Sequence, residues 1–234
     1  MLTKRYILAG LASLVLAGCA HLAPVSQPAA PGRFAPEIAH FADLDRATPP
    51  APCGYLFVGS SSIRFWSSLA TDMAPYSVIN RGFGGSTIAD VNGYFDQVVT
   101  PYRPRAIFFY AGENDLWAKA PPRQVVADFR TFMALKRQKL GATKVYFISL
   151  KPSKQRFAQF AEQSWVNRRI RTMAALHGDL GYVDVVPVML EAGQPKDIFI
   201  ADGLHMVPAG YGLWTSAVRP VLEAEAKAGR KCEA

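Results

Sequence analysis

Charge, cysteine and histidine are all scarce in this chain. Only 19% of its 234 residues are charged, and it carries three cysteines and four histidines. Glu113 and Asp115 lie close together, but no companion ligands gather near them, so no metal is expected. The formal charge is +8, yet arginine-rich runs and basic–aromatic alternation are missing, which argues against nucleic acid. A modest positive excess suits solubility, or closeness to an anionic envelope polymer. No Gly-Lys-Ser/Thr follows Gly82-Phe83-Gly84-Gly85, so a phosphate cradle is excluded and no organic cofactor is expected. The Gly-x-Ser-x-Gly elbow is also missing, because Ile63 stands where its last glycine belongs. No internal repeat, second domain or long lid insertion is visible. The apolar stretch Tyr6 to Leu16 is too short for a bilayer-spanning helix.

That short stretch reads instead as part of a secretory signal. Lys4 and Arg5 precede it, and it leads into Leu16-Ala17-Gly18-Cys19. The ending resembles the lipobox of bacterial lipoproteins, which implies cleavage before Cys19 and acylation of that residue. Several acyl chains on one cysteine anchor stably where a single chain would not. Ala20, in place of Asp, implies by the same resemblance the outer membrane, on its periplasmic side. We therefore expect a signal peptide at 1–18, an Ala/Pro-rich tether at 19–35 and one domain at 36–234, lipid-anchored in the cell envelope. With Cys19 acylated, Cys53 and Cys232 remain as a pair in an oxidising compartment. Cys53 precedes the first strand, and Cys232 follows a terminal helix that should return to the same end. A disulfide between them is expected.

Along the rest of the chain, strand-like and helical segments alternate. Pro36 opens a helix with Ile38, Phe41 and Leu44 at helical spacing, stopping before Thr48-Pro49-Pro50. Apolar runs at Tyr55–Val58, Ser77–Asn80, Ala106–Tyr110, Lys144–Leu150 and Tyr182–Val186 read as strands. Helical segments lie at roughly 62–70, 87–99, 122–140, 157–177 and 209–229. In the fourth, Phe157, Phe160, Ala161 and Trp165 share a face, while Arg168, Arg169 and Arg171 look solvated. Such alternation predicts an α/β fold: a three-layer α/β/α sandwich around a five-stranded parallel, doubly wound sheet of flavodoxin-like order. Ligands bind such sheets at the carboxyl ends of the strands.

The chemistry-bearing blocks fall at those ends. Leu56-Phe57-Val58-Gly59 breaks into three hydroxyls, Ser60, Ser61 and Ser62, before turning helical. A serine there could act as nucleophile given a base, an orienting acid and an oxyanion hole. The residue types alone leave all three serines open, and any of them could instead cap the following helix. Among the histidines, His21 is in the tether, His40 on the first helix and His177 at a helix end. His205 alone follows an acid by three residues in a loop, Asp202-Gly203-Leu204-His205. That spacing lets Asp202 fix one imidazole nitrogen and leaves the other free to take a proton.

Gly59-Ser60-Ser61-Ser62, Asn80-Arg81-Gly82-Phe83-Gly84-Gly85, Gly112-Glu113-Asn114-Asp115 and Asp202-Gly203-Leu204-His205 stand in this order. Together they resemble the SGNH (GDSL) family of esterases and acylhydrolases, over about Pro36 to Trp214. Two positions depart from that pattern: Ser60 stands where the family has Asp, and Ser62 where it has Leu. The resemblance selects Ser61 as nucleophile, His205 as base and Asp202 as its partner. It places the oxyanion hole at the backbone N–H groups of Ser61 and Gly85 and the side-chain amide of Asn114. Asp115 is expected to brace the loop. Arg64, Trp66, Arg81, Tyr211 and Trp214 match the same pattern and are expected to pack or support the site. The implied activity is hydrolysis of acyl esters, short-chain ones foremost, on a small-molecule or glycan substrate. The alternatives are a thioesterase or lysophospholipase of the same family, or a lipoprotein that binds glycan or lipid without catalysis.

Overall fold

The computed structural model describes residues 32–229 and Cys232. The signal peptide, Cys19 and all but the end of the tether lie outside the described residues. Among the described residues no helix is long and apolar enough to cross a membrane.

The chain opens on α1 (Ala35–Ala47), which Pro36 starts at its first turn, and reaches the first strand β1 (Tyr55–Gly59). Two single-turn helices, α2 (Ser61–Arg64) and α3 (Leu69–Asp72), lead to β2 (Val78–Gly82). Next come α4 (Ile88–Gly93), α5 (Phe95–Val98) and β3 (Ala106–Tyr110). A short α6 (Glu113–Trp117) and a long α7 (Pro122–Leu140) precede β4 (Lys144–Ile148). Then follow α8 (Phe160–Leu176), β5 (Leu180–Val183) and α9 (Val186–Met189). A two-residue hairpin, β6 (Leu190–Glu191) and β7 (Gln194–Pro195), and the terminal α10 (Pro208–Lys227) complete the set.

Strands β1 to β5 form one parallel sheet in the order β2-β1-β3-β4-β5, the doubly wound arrangement expected. All five residues of β1 and of β3 are buried, which is why both appear in the sequence as unbroken apolar runs. Alternate side chains feed two separate cores. Leu56, Val58, Ile107, Phe109 and Phe147 face one side, against α1, α4, α5, α7 and α8. Tyr55, Phe57, Phe108, Tyr110 and Ile148 face the other, against α2, α3, α9 and α10. Aromatic packing is dense on both faces: Phe57 stacks on Phe108 at 4.7 Å, and Phe109 meets Phe132 at 4.4 Å.

Several expectations need correction. Leu44 was expected on the inner face of α1 with Ile38, but it is 46% exposed. The expected helix at 62–70 is two single turns separated by Phe65–Ser68, and the one at 87–99 divides at Tyr94. The fifth strand begins and ends earlier than its apolar run suggests. It stops at Val183 because Val185 turns away, its N–H donating to Ser149 Oγ at 2.9 Å. The buried face of α8 is Gln163, Val166, Asn167 and Ile170, not the Phe157–Trp165 face. Asn167 belongs inside because it clamps the end of β4, bonding Leu150 N at 2.8 Å and Leu150 O at 2.9 Å. Arg168, Arg169 and Arg171 are exposed, as expected.

Cys53 and Cys232 meet at the amino edge of the sheet, their Cα atoms 5.7 Å apart and their sulfurs joined. The carboxyl edge, where the other blocks gather, is at the opposite end of the strands.

Candidate active site

The turn after β1 exists because Gly59 is a glycine. Its φ is +140°, and a Cβ there would lie 1.9 Å from the Tyr110 carbonyl oxygen of the neighbouring strand. Ser60 N–H donates to that same carbonyl at 2.9 Å, pinning the turn to the end of β3. Tyr211, on α10, donates its hydroxyl to the Ser62 carbonyl at 3.1 Å and stacks on Trp66. Burial separates the three serines. Ser60 and Ser62 are 3% and 2% exposed, whereas Ser61 is only partly covered. The cap that Ser60 could have formed is absent. Ser60 sits at the N-cap, but the Ile63 N–H that its hydroxyl would accept goes to the Ser60 carbonyl instead, at 3.0 Å.

His205 reaches Ser61 from the far end of the chain. Its Nε2 is 2.9 Å from Ser61 Oγ, and its Nδ1 is 2.6 Å from Asp202 Oδ2. Asp202 Oδ1 accepts the N–H groups of Leu204 and His205, at 2.8 and 2.9 Å. Partial burial pushes the Asp202 carboxyl up, but those two N–H groups and the imidazole outweigh it and hold it below its ordinary value. An ionised carboxylate only accepts, so Nδ1 carries the proton and Nε2 is left to accept from the Ser61 hydroxyl. An antiparallel bridge between Phe199 and Met206 closes the loop that holds this pair. Phe65 packs edge-on to the imidazole, ring centroids 4.9 Å apart.

Gly85 follows the end of β2, and Asn114 follows the end of β3. Gly85 has φ +77°, a conformation that suits glycine, and lacks a side chain that would stand in a substrate's way. Among the described residues, no acceptor meets the backbone N–H of Ser61 or of Gly85. Asn114, on α6, donates from Nδ2 to the Ser86 carbonyl at 2.9 Å. Its Oδ1 accepts from Arg156 at 3.0 Å. One amide hydrogen of Asn114 is thus committed and the other is not. Ser61, His205 and Asp202 are joined in one line, while Asn114 is bonded to Ser86, the residue after Gly85.

Asp115, the next residue, accepts the Ile88 N–H with both oxygens, at 3.1 and 3.3 Å, tying α6 to α4. Burial, with the Asp128 and Asp90 charges adding to it against the Ile88 bond, pushes its carboxyl up to about 7. Arg81, Trp66, Tyr211 and Trp214 are buried supports, Arg81 being bonded to Tyr102 at 2.5 Å and paired with Asp45. Arg64 is different: it is exposed and pairs with Glu37 at 3.1 Å.

A second cluster lies beneath Asn114 and escaped the sequence reading. Lys151 and Glu113 form a buried ion pair at 2.6 Å, with side chains 1% and 4% exposed. Tyr110 and Ser153 add hydrogen bonds to Glu113 at 2.6 and 3.2 Å. Burial alone would raise the Glu113 carboxyl, but the Lys151 and Arg156 charges overcome it and leave it below its ordinary value. The available signal was positional: Lys151-Pro152-Ser153-Lys154-Gln155-Arg156 follows β4, at the same sheet edge as the other blocks.

Residues 53–213 match the sequence profile of the GDSL-like lipase/acylhydrolase family. No curated protein gives a significant match. Solved structures resemble the fold at low identity. A protein from Streptococcus pneumonia named after platelet activating factor is 19% identical with a TM-score of 0.71, over 80% of this chain and 92% of its own. A GDSL-like lipase from Bacteroides thetaiotaomicron is 19% identical with a TM-score of 0.68, over 80% of this chain and 97% of its own. An acetylxylan esterase from Geobacillus stearothermophilus is 14% identical with a TM-score of 0.59, over 72% of this chain and 93% of its own. With its profile match spanning most of the described domain, the chain belongs to the GDSL-like lipase/acylhydrolase family, a family of carboxylic ester hydrolases.

Proposed function

We propose that this protein is a serine esterase that cleaves short acyl groups through a Ser61–His205–Asp202 triad. The observation that carries the reading is the unbroken line from Asp202 Oδ2 through both imidazole nitrogens to Ser61 Oγ, at 2.6 and 2.9 Å. As Ser61 Oγ attacks the acyl carbonyl carbon, its proton passes to Nε2 and the carbonyl oxygen gains negative charge. The N–H groups of Ser61 and Gly85 and the amide of Asn114 receive that charge. The leaving alcohol takes the proton from Nε2, leaving an acyl ester on Ser61. Water, giving a proton to Nε2, then attacks this ester; the bond to Ser61 Oγ breaks, Oγ takes that proton back from Nε2, and the acid leaves. Asp202 stays ionised throughout and stabilises the imidazolium.

Two observations support short acyl groups: no long lid insertion is visible in the sequence, and a structural neighbour is named an acetylxylan esterase. A small-molecule or glycan ester is the substrate we favour. The lipobox-like sequence at Cys19 supports anchoring in the cell envelope by lipid, on the periplasmic side of the outer membrane. A panel of p-nitrophenyl esters from acetyl to palmitoyl, with acetylated glycans beside them, tests the activity. The reading predicts the highest kcat/KM for acetyl or propionyl. A maximum at long chains points to a lysophospholipase, preference for matched thioesters to a thioesterase, and no turnover of any to a binding protein. Metabolic labelling with palmitate tests the anchor: label lost on Cys19→Ser supports it, and absence of label in the wild type refutes it.

A further inference from the structure

The oxyanion-hole amide of Asn114 has to face one way, and nothing in Asn114 itself dictates which. An asparagine side chain is nearly symmetric in shape, and a half-turn of its amide exchanges donor for acceptor. Its two partners remove that freedom. The Ser86 carbonyl can only accept, so it requires Nδ2 on its side. The Arg156 guanidinium can only donate, so it requires Oδ1 on the other. A flipped amide would set oxygen against oxygen and N–H against N–H.

Arg156 is itself fixed in place. It is 7% exposed, and its guanidinium lies over the Trp117 ring, 5.2 Å from the centroid. Glu113 Oε1 is 4.0 Å from the nitrogen that bonds Asn114, balancing the charge. The surrounding segment is tied to both halves of the site. Arg156 N–H donates to the Ser153 carbonyl, and Gln155 N–H donates at 2.9 Å to the Gly203 carbonyl, between Asp202 and His205. A cation bonded to Oδ1 also draws electron density from the amide, making the uncommitted N–H a stronger donor.

Resting on the esterase reading above, we propose that Arg156 is a positioning residue, acting only through Asn114 to orient and polarise the oxyanion-hole amide. It touches no substrate atom. A lysine cannot reproduce the arrangement, since it lacks the planar fork that bonds Asn114 while lying over the Trp117 ring.

The test is a double-mutant cycle on p-nitrophenyl acetate, using wild type, Arg156→Met, Asn114→Ala and the pair, with Arg156→Lys added. Arg156→Met should lower kcat by about 10- to 100-fold, the scale of a misplaced catalytic group, while KM stays within about threefold. Asn114→Ala alone should lower kcat by about 10²- to 10³-fold. In the Asn114→Ala background, Arg156→Met should cost less than about threefold more, because its only route of action is gone. Arg156→Lys should fall between wild type and Arg156→Met. If Arg156→Met does not fold, the same cycle run with Arg156→Lys decides the question. Losses that multiply in the double variant, a change confined to KM, or an unimpaired Asn114→Ala each overturn the assignment. A wild type inactive on every ester refutes the esterase reading instead, so the two failures are distinct.

Discussion

Asp115 should make the stability of this fold fall as pH rises from about 4 to about 7, and Asp115→Asn should remove that contribution. The carboxyl is 3% exposed, and burial first, then Asp128 and Asp90, push it from 3.8 to about 7. The folded chain therefore keeps this proton to a higher pH than the unfolded chain does. Below about pH 4 both states are protonated and the residue costs nothing. Between about 4 and 7 the unfolded chain ionises first, so stability drops as pH rises. Above 7 the full penalty applies. At about 1.4 kcal/mol for each tenfold in the proton equilibrium, the gap corresponds to about 4 kcal/mol. Asparagine resembles the protonated acid and keeps an oxygen for the Ile88 N–H. Guanidinium denaturation of both proteins at pH 4 and pH 8 separates this residue from every other titration, since the rest are common to both. The two should be nearly equal at pH 4, with Asp115→Asn more stable by up to about 4 kcal/mol at pH 8. A difference that does not change with pH, or a wild type more stable at pH 8, refutes the reasoning.

The other perturbations probe the two ends of the sheet. Reducing the Cys53–Cys232 pair, 179 residues apart, removes at most about 5 kcal/mol in the chain-entropy picture. Melting temperature should drop by as much as about 10–20 °C. Activity at moderate temperature should hold, because the pair sits at the edge away from Ser61; equal melting with and without reductant contradicts this. Lys151→Met strands the buried Glu113 carboxylate and should cost about 3–5 kcal/mol by denaturant unfolding. Adding Glu113→Gln should restore part of that, and no recovery would contradict the pairing.

What could be read in advance divides along physical lines. β1 and β3 were legible because both faces of each are covered, so burial writes a continuous apolar run. The alternation of such runs with helical segments was enough for a parallel sheet covered on both faces. The Asp202–His205 pair was legible from its three-residue spacing in a loop, whereas residue type left Ser60, Ser61 and Ser62 equivalent and only the resemblance to the SGNH family selected Ser61. The Glu113–Lys151–Arg156 cluster was not, since charged residues ordinarily lie in solvent and only the folded chain brings residue 113 to 151. The inner face of α8 was misread for the same reason: Gln163 and Asn167 are polar but buried. Fifth-strand bounds failed because Val185 is apolar yet bonded to a side chain, not to the ladder.

The account stands or falls on which hydroxyl is the nucleophile. Treatment with a fluorophosphonate probe, followed by peptide mapping, reads this directly on the wild type and on single Ser→Ala variants at 60, 61 and 62. We predict label on Ser61 alone, with turnover of p-nitrophenyl acetate reduced by roughly four to six orders of magnitude in Ser61→Ala. Ser60→Ala and Ser62→Ala should keep measurable activity and full labelling. Label on Ser60 or Ser62, or an active Ser61→Ala, would contradict the triad.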